Sequence, residues 1–221
     1  MKDSDRKTLA LRILISVLGN TVIGFGVAIA KIADLGIDPF NGMTMGVSGA
    51  LGVPYPVFTW GFNLLCFTAE LIWGRKYINV GTFINWFLVS FAVSGFLSLF
   101  GFAGLTTPEG LPPKLAMLLL ALLLMSLGLA IYQSVDFGIA PFDAIPIMFC
   151  ERHPRFPYFW ARILLDSTAV LGILLTDRSL CGIGTLATAL GLGPIVHFFM
   201  NRLQKRFPSL MRSASSGDSA D

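Results

Sequence analysis

Charged residues are scarce in this chain. Only 13% of its 221 residues are Asp, Glu, Lys or Arg, whereas a soluble domain carries about 25% to cover its surface. Hydrophobic residues make up 54%, and the charges that are present cluster at the two ends and in a few short connections. This composition excludes an ordinary soluble domain and indicates an integral membrane protein.

The chain also has few residues of the kinds that bind metals or act as nucleophiles. Its three cysteines, Cys66, Cys150 and Cys181, form no CxxC pair and no zinc-ligand spacing, which indicates structural thiols. The sequence contains no Gly-x-Ser-x-Gly elbow, no HExxH motif and no phosphate-binding loop. We therefore expect no enzyme activity, no cofactor and no metal. The net charge of +3 comes from basic residues that flank apolar segments, so we expect no nucleic-acid partner.

Long apolar runs predict an all-α, polytopic membrane protein. A helix needs roughly 20 residues to cross a hydrocarbon core about 30 Å thick, and runs without strict alternation favour helices over barrel strands. Six spans are predicted, at Leu11–Ala33, Val57–Trp73, Val80–Phe100, Leu115–Val135, Phe159–Thr176 and Gly182–Leu203. Two further segments, Phe40–Leu51 and Phe142–Cys150, each follow Gly-Ile-X-Pro and are too short to cross alone. We expect both to be short broken or re-entrant helices that begin at the proline.

The distribution of Lys and Arg predicts the orientation of the spans. Basic residues precede the first span and follow the second, fourth and sixth, whereas the alternate connections hold only Lys31, Lys114 and Arg178. Because cytoplasmic loops carry the excess of Lys and Arg, both termini are predicted to be cytoplasmic. Residues 1–10 are then a cytoplasmic N-terminus and residues 206–221 a disordered cytoplasmic tail. The expected location is the bacterial inner membrane, with lipids as neighbours.

An internal repeat is visible in the sequence. The segment DLGIDPFN at 34–41 reappears as DFGIAPFD at 136–143, with Gly36 and Pro39 aligned to Gly138 and Pro141. With one inserted residue the match continues downstream, pairing Tyr55 with Tyr158, Asn63 with Asp166, and Gly81-Thr82 with Gly184-Thr185. The match predicts two membrane repeats, at 11–103 and 114–205. Because each repeat holds three spans, the two are expected to be inverted, as in many secondary transporters.

Asp166 lies well inside the fifth predicted span. An ionisable group at that depth costs at least about 2.5 kcal/mol, so it needs a partner or a function. Arg162 lies one helical turn earlier and can pair with it, while Asn63 is its uncharged counterpart in the first repeat. Asp166 could therefore be a substrate, cation or proton site, or one half of a structural ion pair.

Polar residues also lie at the two Gly-Ile-X-Pro breaks. Asp38, Asn41 and Asp143 could cap the short helices or contact a ligand, and these roles are compatible. The free N–H groups at the N-termini of such half-helices suit anions or carboxylates. The candidate substrate-binding residues are therefore Asp166, Arg162, Asn63, Asp143, Asn41 and Asp38.

Three further features of the spans carry less weight in the interpretation. Glu70 lies near Arg75 and Lys76 and is expected to neutralise that turn. Gly193-Pro194 is expected to break the last helix. His197, three residues beyond Pro194, has no second ligand in the pattern and is expected to be satisfied or interfacial rather than metal-binding.

The two Gly-Ile-X-Pro-Phe-[Asn/Asp] breaks, the Gly-Thr pairs and Gly-Leu-Gly-Pro at 191–194 together resemble the bacterial YczE/YitT-like integral membrane proteins. The resemblance covers about residues 10–205. Members often show Pro-Trp-Asp in the first break, where this chain has Phe40 and Asn41, and an acid after Gly-Pro in the last helix, where it has His197. That family is largely uncharacterised, so the resemblance implies architecture and membrane location rather than a substrate.

Three functions fit these features. The favoured one is a small-solute secondary transporter or exporter with a central site between inverted repeats. The alternatives are a membrane scaffold or accessory protein that transports nothing and, less favoured, an intramembrane enzyme that depends on Asp166 or His197. Six short spans are few to enclose a pathway, so a homodimer is a further expectation.

Overall fold

The structure is a computed structural model that describes residues 3–135 and 137–206. Within these residues it is helical, without strands. Asp136 and most of the predicted tail, residues 207–221, lie outside the described residues. The helices are α1 (Asp3–Ala33), α2 (Pro39–Leu51), α3 (Tyr55–Trp73), α4 (Val80–Phe102), α5 (Leu111–Ser134), α6 (Pro141–Arg152), α7 (Tyr158–Thr176) and α8 (Ile183–Arg206). Short 3₁₀ turns at Arg75–Tyr77 and Arg178–Leu180 precede α4 and α8.

Five helices are individually long and apolar enough to cross a membrane. They are α4, α5, α7, α8 and the Leu9–Ala33 part of α1. The sixth predicted span, α3, meets the same criterion only together with α2, from which it is bent by 117°. Asn63 and Glu70 within α3 lower its hydropathy. The prediction of an all-helical, multi-pass membrane protein is confirmed.

Each short helix begins at the proline of its Gly-Ile-X-Pro sequence. The preceding glycines, Gly36 and Gly138, have φ values of +95° and +107°. These values lie where a side chain is strained, so glycine is required for the chain to turn into the helix. α2 and α6 are accordingly broken from α1 and α5 at equivalent positions.

Hydrogen bonds join the break of each half to the other half. The N–H of Gly184 donates to the carbonyl oxygen of Leu35 at 2.7 Å, and the N–H of Gly81 donates to that of Phe137 at 2.8 Å. The turns that precede α8 and α4 also contribute, because Ile37 donates to Leu180 and Ile139 to Tyr77, both at 3.2 Å. Backbone groups that leave the helices are thus paired inside the protein, as the membrane interior demands.

The central packing in the fold is between α1 and α5, which run antiparallel. A Cβ added at Gly19 would lie 2.8 Å from the carbonyl oxygen of Gly128, and one added at Gly26 would lie 3.1 Å from that of Ala121. Gly26 therefore packs against an earlier part of α5 than Gly19 does, as expected for antiparallel helices. Around this pair, α2 packs on α7 and α6 packs on α3, so each short helix lies against the opposite half.

Two expectations about single residues are wrong. α8 continues through Pro194 to Arg206 instead of breaking, because transmembrane helices tolerate a proline when neighbouring groups satisfy the freed carbonyl. Glu70 does not neutralise the basic turn, since its side chain is fully buried and lacks a hydrogen-bond partner among the described residues. Lys76 instead pairs with Glu151 at the end of α6, and this hydrogen bond lowers the pKa of Glu151.

Replacing Gly138 with alanine should destabilise the fold. The new Cβ would lie 2.5 Å from Oγ1 of Thr82 and would have to adopt a positive φ. We expect the free energy of unfolding to fall by about 2 kcal/mol or more, measured by denaturant unfolding in detergent micelles. Gly95→Ala in α4 is the matched control, because no atom lies within 4 Å of its added Cβ. An equal loss in both variants would contradict the role given to the break.

Candidate functional site

A cavity of about 700 Å³ lies where the two short helices begin. Its walls come from the N-terminal ends of α2 and α6 and from α5, α7 and α8. The volume is in the range of sites for small organic ligands. The polar residues that line it are Asp38, Gln133, Asp143, Tyr158, Arg162, Asp166, Thr188 and His197.

A smaller cavity of about 90 Å³ adjoins the large one and extends into the first half. The two share Asp38, Asp143 and Arg162 among their lining residues, and the smaller one adds Asn41 and Asn63. All six predicted site residues therefore line one or both cavities, although they come from four helices in both halves. Their role in binding a ligand stays a prediction.

Arg162 is the centre of the charged cluster. Its Nη1 donates to Oδ1 of Asp143 at 2.6 Å, and its Nε donates to Oδ2 of Asp166 at 3.2 Å. The guanidinium carbon also lies 6.0 Å from the centroid of the Phe142 ring. The predicted Arg162–Asp166 pair is present, and Asp143 is a second carboxylate on the same guanidinium. The arrangement ties α7 to the first turn of α6.

Asp38 and Asn41 form a second polar group at the start of α2. Oδ1 of Asp38 accepts the N–H of Asn41 at 3.1 Å, so Asp38 is the N-cap of the helix. The side-chain amide of Asn41 donates to both carboxylate oxygens at 3.0 Å. Asn41 in turn accepts a hydrogen bond from the hydroxyl of Tyr55. The capping role expected for Asp38 is thus present, and it leaves this carboxylate beside the cavity without a cation from the described residues.

Asp166 keeps one oxygen unused. The residue is 8% exposed, and its Oδ1 has no hydrogen-bond partner within the described parts of the chain. Burying a carboxylate oxygen in this way costs free energy unless another group arrives to bind it. This oxygen has almost no accessible surface, so it is enclosed by the protein, and Arg162 is the only cation that bonds to Asp166 among the described residues.

The two halves differ at the cavity. Trp86 in α4 is aligned with Ala189 in α8, and the indole of Trp86 donates to the carbonyl oxygen of Trp60 in α3 at 2.9 Å. The Trp60 indole donates back to Phe87 at 3.2 Å. These contacts close α3 against α4. At the equivalent place in the second half, Ala189 leaves the space between α7 and α8 that belongs to the large cavity.

Sequence reasoning missed the aromatic walls. Phe40 and Phe142 follow the two break prolines, and their ring centroids are 4.6 Å apart across the boundary between the halves. Tyr158 and Phe159 at the start of α7 also line the large cavity. The signal was present, since Pro-Phe occurs in both breaks and Tyr55 matches Tyr158. His197, expected to be satisfied or interfacial, accepts or donates a bond with Asn201 at 3.1 Å and lines the cavity.

Metal binding has no support from geometry. Over the described residues, His, Cys, Asp and Glu side chains form no group of three or more that could hold an ion. The acids of the cluster are instead arranged around a guanidinium, so their immediate partner is part of the chain.

Fold and cavity together define a multi-pass, all-helical membrane protein with a buried polar site. The chain belongs to the family of unknown function DUF6198, whose model matches residues 10–201. The narrower resemblance to YczE/YitT-like proteins stays a prediction.

Two bacterial relatives are similar over most of their length. An uncharacterized protein of Haemophilus influenzae is 24% identical over 188 residues, covering 82% of this chain and 79% of the relative. The uncharacterized protein YyaS of Bacillus subtilis is 25% identical over 195 residues, covering 88% and 95%. No solved structure matches.

Removing the guanidinium should destabilise the protein more than removing Asp166. Arg162→Gln leaves two carboxylates without their cation, and we expect the free energy of unfolding to fall by about 2 kcal/mol. Breaking a fully buried ion pair costs about 3–5 kcal/mol, and the loss is smaller here because the Arg162 side chain is 32% exposed. Asp166→Asn should cost less than about 1 kcal/mol, since Arg162 keeps Asp143. In the double variant the losses should fall short of additive by about 1 kcal/mol. Denaturant unfolding of the four proteins measures this coupling, and strict additivity would contradict it.

Proposed function

We propose that this protein is a small-solute secondary transporter or exporter that works by alternating access between two inverted repeats. The observation that carries the proposal is the cavity of about 700 Å³ at the start of both broken helices, lined by charged side chains from both halves. In secondary transporters, substrate sites lie where interrupted helices of the two repeats meet, and half-helix ends supply polar groups at membrane depth. The order of helices in the two halves matches that plan.

The antiparallel packing of α1 on α5 supports inversion of the repeats. Equivalent first helices that run in opposite directions are expected when a three-span unit is followed by its copy. With the bias of Lys and Arg, this gives both termini in the cytoplasm and the break of the first half toward the exterior. The bacterial cytoplasmic membrane is the location we infer.

The position of the cavity suggests a conformational state for the proposed transporter. Its lining extends from Tyr158 at the start of α7 to Met200 near the end of α8. Both positions face the cytoplasm in the proposed topology. The equivalent passage in the first half is closed by Trp60 and Trp86. Within this proposal the arrangement represents an inward-facing state, and exchange of substrate with the exterior would require α3 and α4 to separate.

Cysteine accessibility tests the inversion. Leu51 is exposed at the end of α2, and His153 is exposed just after α6. In a background that lacks Cys66, Cys150 and Cys181, Leu51→Cys should react with a membrane-impermeant maleimide from outside intact cells. His153→Cys should react only in inside-out vesicles. Labelling of both from one side would refute the inverted topology.

Flux measurements test the transport function. Purified protein is first screened with a metabolite panel for ligands that raise its unfolding temperature, and each ligand found is then followed into proteoliposomes. Flux should fall at least about tenfold in Asp166→Asn, because a charged contact to the solute is lost. Glu109→Gln, which neutralises an exposed loop carboxylate, should transport normally. A broad panel that yields neither stabilisation nor flux would count decisively against transport.

A further inference from the structure

The charge of the cavity is unbalanced. Its lining holds three carboxylates, Asp38, Asp143 and Asp166, against the guanidinium of Arg162 and the imidazole of His197. Arg162 already bonds to two of these carboxylates, so its positive charge is offset before any ligand arrives. Negative charge in excess is costly at membrane depth unless a cation compensates it.

Two carboxylates are placed to receive that cation. Asp38 is 6% exposed and is bound by the amide of Asn41, a neutral group. Asp166 is 8% exposed, its Oδ2 bonds to Arg162, and its Oδ1 has no partner among the described residues. Both side chains line the same cavity. An incoming positive group would thus offset the negative charge of both carboxylates at once.

The ends of the short helices do not favour an anion here. Helix N-termini attract negative charge through free N–H groups, which is what the sequence suggested. However, Pro39 and Pro141 have no N–H to offer, and the N–H of Asn41 is taken by Asp38. At α2, a carboxylate of the protein therefore already occupies the position that an anionic ligand would take. At α6, Asp143 places a negative charge in the first turn, which disfavours a second anion there.

Aromatic rings supply the rest of the wall. Phe40, Tyr158 and Phe159 line the large cavity together with apolar groups such as Leu129 and Leu192. Ring faces attract cations, more strongly where water is excluded, and they accept an apolar body equally well. The volume of about 700 Å³ also exceeds what a bare metal ion or a proton needs.

We propose that the cavity binds an organic cation, with a positively charged nitrogen between Asp38 and Asp166 and an apolar or aromatic body against the aromatic wall. The assignment names the substrate class of the proposed transporter and rests on that function for its physiological role. Binding itself is measurable without transport.

The test uses benzyltrimethylammonium as the cation and benzenesulfonate as an anion of similar size. Each is titrated at constant ionic strength into the full-length protein in detergent, with calorimetry and thermal unfolding as readouts. Benzyltrimethylammonium should bind and raise the unfolding temperature, and benzenesulfonate should not. Asp38→Asn and Asp166→Asn should each weaken binding about 10- to 100-fold, whereas Glu109→Gln should bind as the unmodified protein does.

A steric variant separates lost binding from lost folding. Ala189→Trp places in the second half the residue that Trp86 supplies in the first, and Ala189 is exposed toward the cavity. This variant keeps every charge, so it should fold normally and lose binding at least about tenfold.

Three results would overturn the assignment. The first is binding of benzenesulfonate in place of benzyltrimethylammonium. The second is binding of neither probe, which would indicate that Asp38 and Asp166 bind protons or Na⁺ instead. The third is cation binding that is unchanged in both aspartate variants. If flux of an anionic or neutral solute depends on Asp166, the transport proposal stands and the cation class falls. If the cation binds but a broad panel shows no flux, transport fails and the cation site stands.

Discussion

The structure depends on pairing backbone polar groups where the chain leaves its helices inside an apolar surrounding. A buried N–H or carbonyl that lacks a partner costs free energy, so such groups are paired within the protein. The chain meets this requirement by exchange, since Leu35 of the first half binds Gly184 and Phe137 of the second half binds Gly81. Because the two halves complete each other, broken helices can exist at this depth, and with them a cavity that has polar walls.

The same hydrogen bonds between the two halves position the charged residues Asp38, Asp143, Arg162 and Asp166. Once the breaks are held, α2 and α6 begin on either side of the boundary between the halves and bring Asp38 and Asp143 to it. α7 then contributes Arg162 and Asp166 from the opposite wall. Every described carboxylate of the cluster is held by a side-chain amide or a guanidinium, which limits the cost of burial. Among the carboxylates of the cluster, Asp166 has one buried oxygen without a partner in the described residues.

Much of this architecture was predictable from sequence. Apolar runs predicted the helices, and the repeated Gly-Ile-X-Pro predicted both short helices and the residues that correspond between the two halves.

The partners of individual side chains were not predictable. Glu70 was assigned to the nearest charges along the chain, whereas the partner of Lys76 comes from α6, far away in sequence. Pro194 was expected to break α8, because sequence cannot show whether neighbouring helices satisfy the freed carbonyl. The large cavity is lined by Ala189 in the second half, whereas the aligned residue in the first half is Trp86, which packs against α3. The alignment of the repeats shows this difference, but only the structure shows its effect on packing.

The exchange between the breaks also bears on how the chain is made. Leu35 is synthesised early, yet its partner Gly184 opens the last helix. A ribosome-bound intermediate that has inserted only the first half must therefore hold its first break with lipid headgroups, the translocation machinery or temporary contacts. The final arrangement of α2 can form only after α8 has entered the bilayer. A truncated chain that lacks α8 would leave the carbonyl oxygen of Leu35 without this partner.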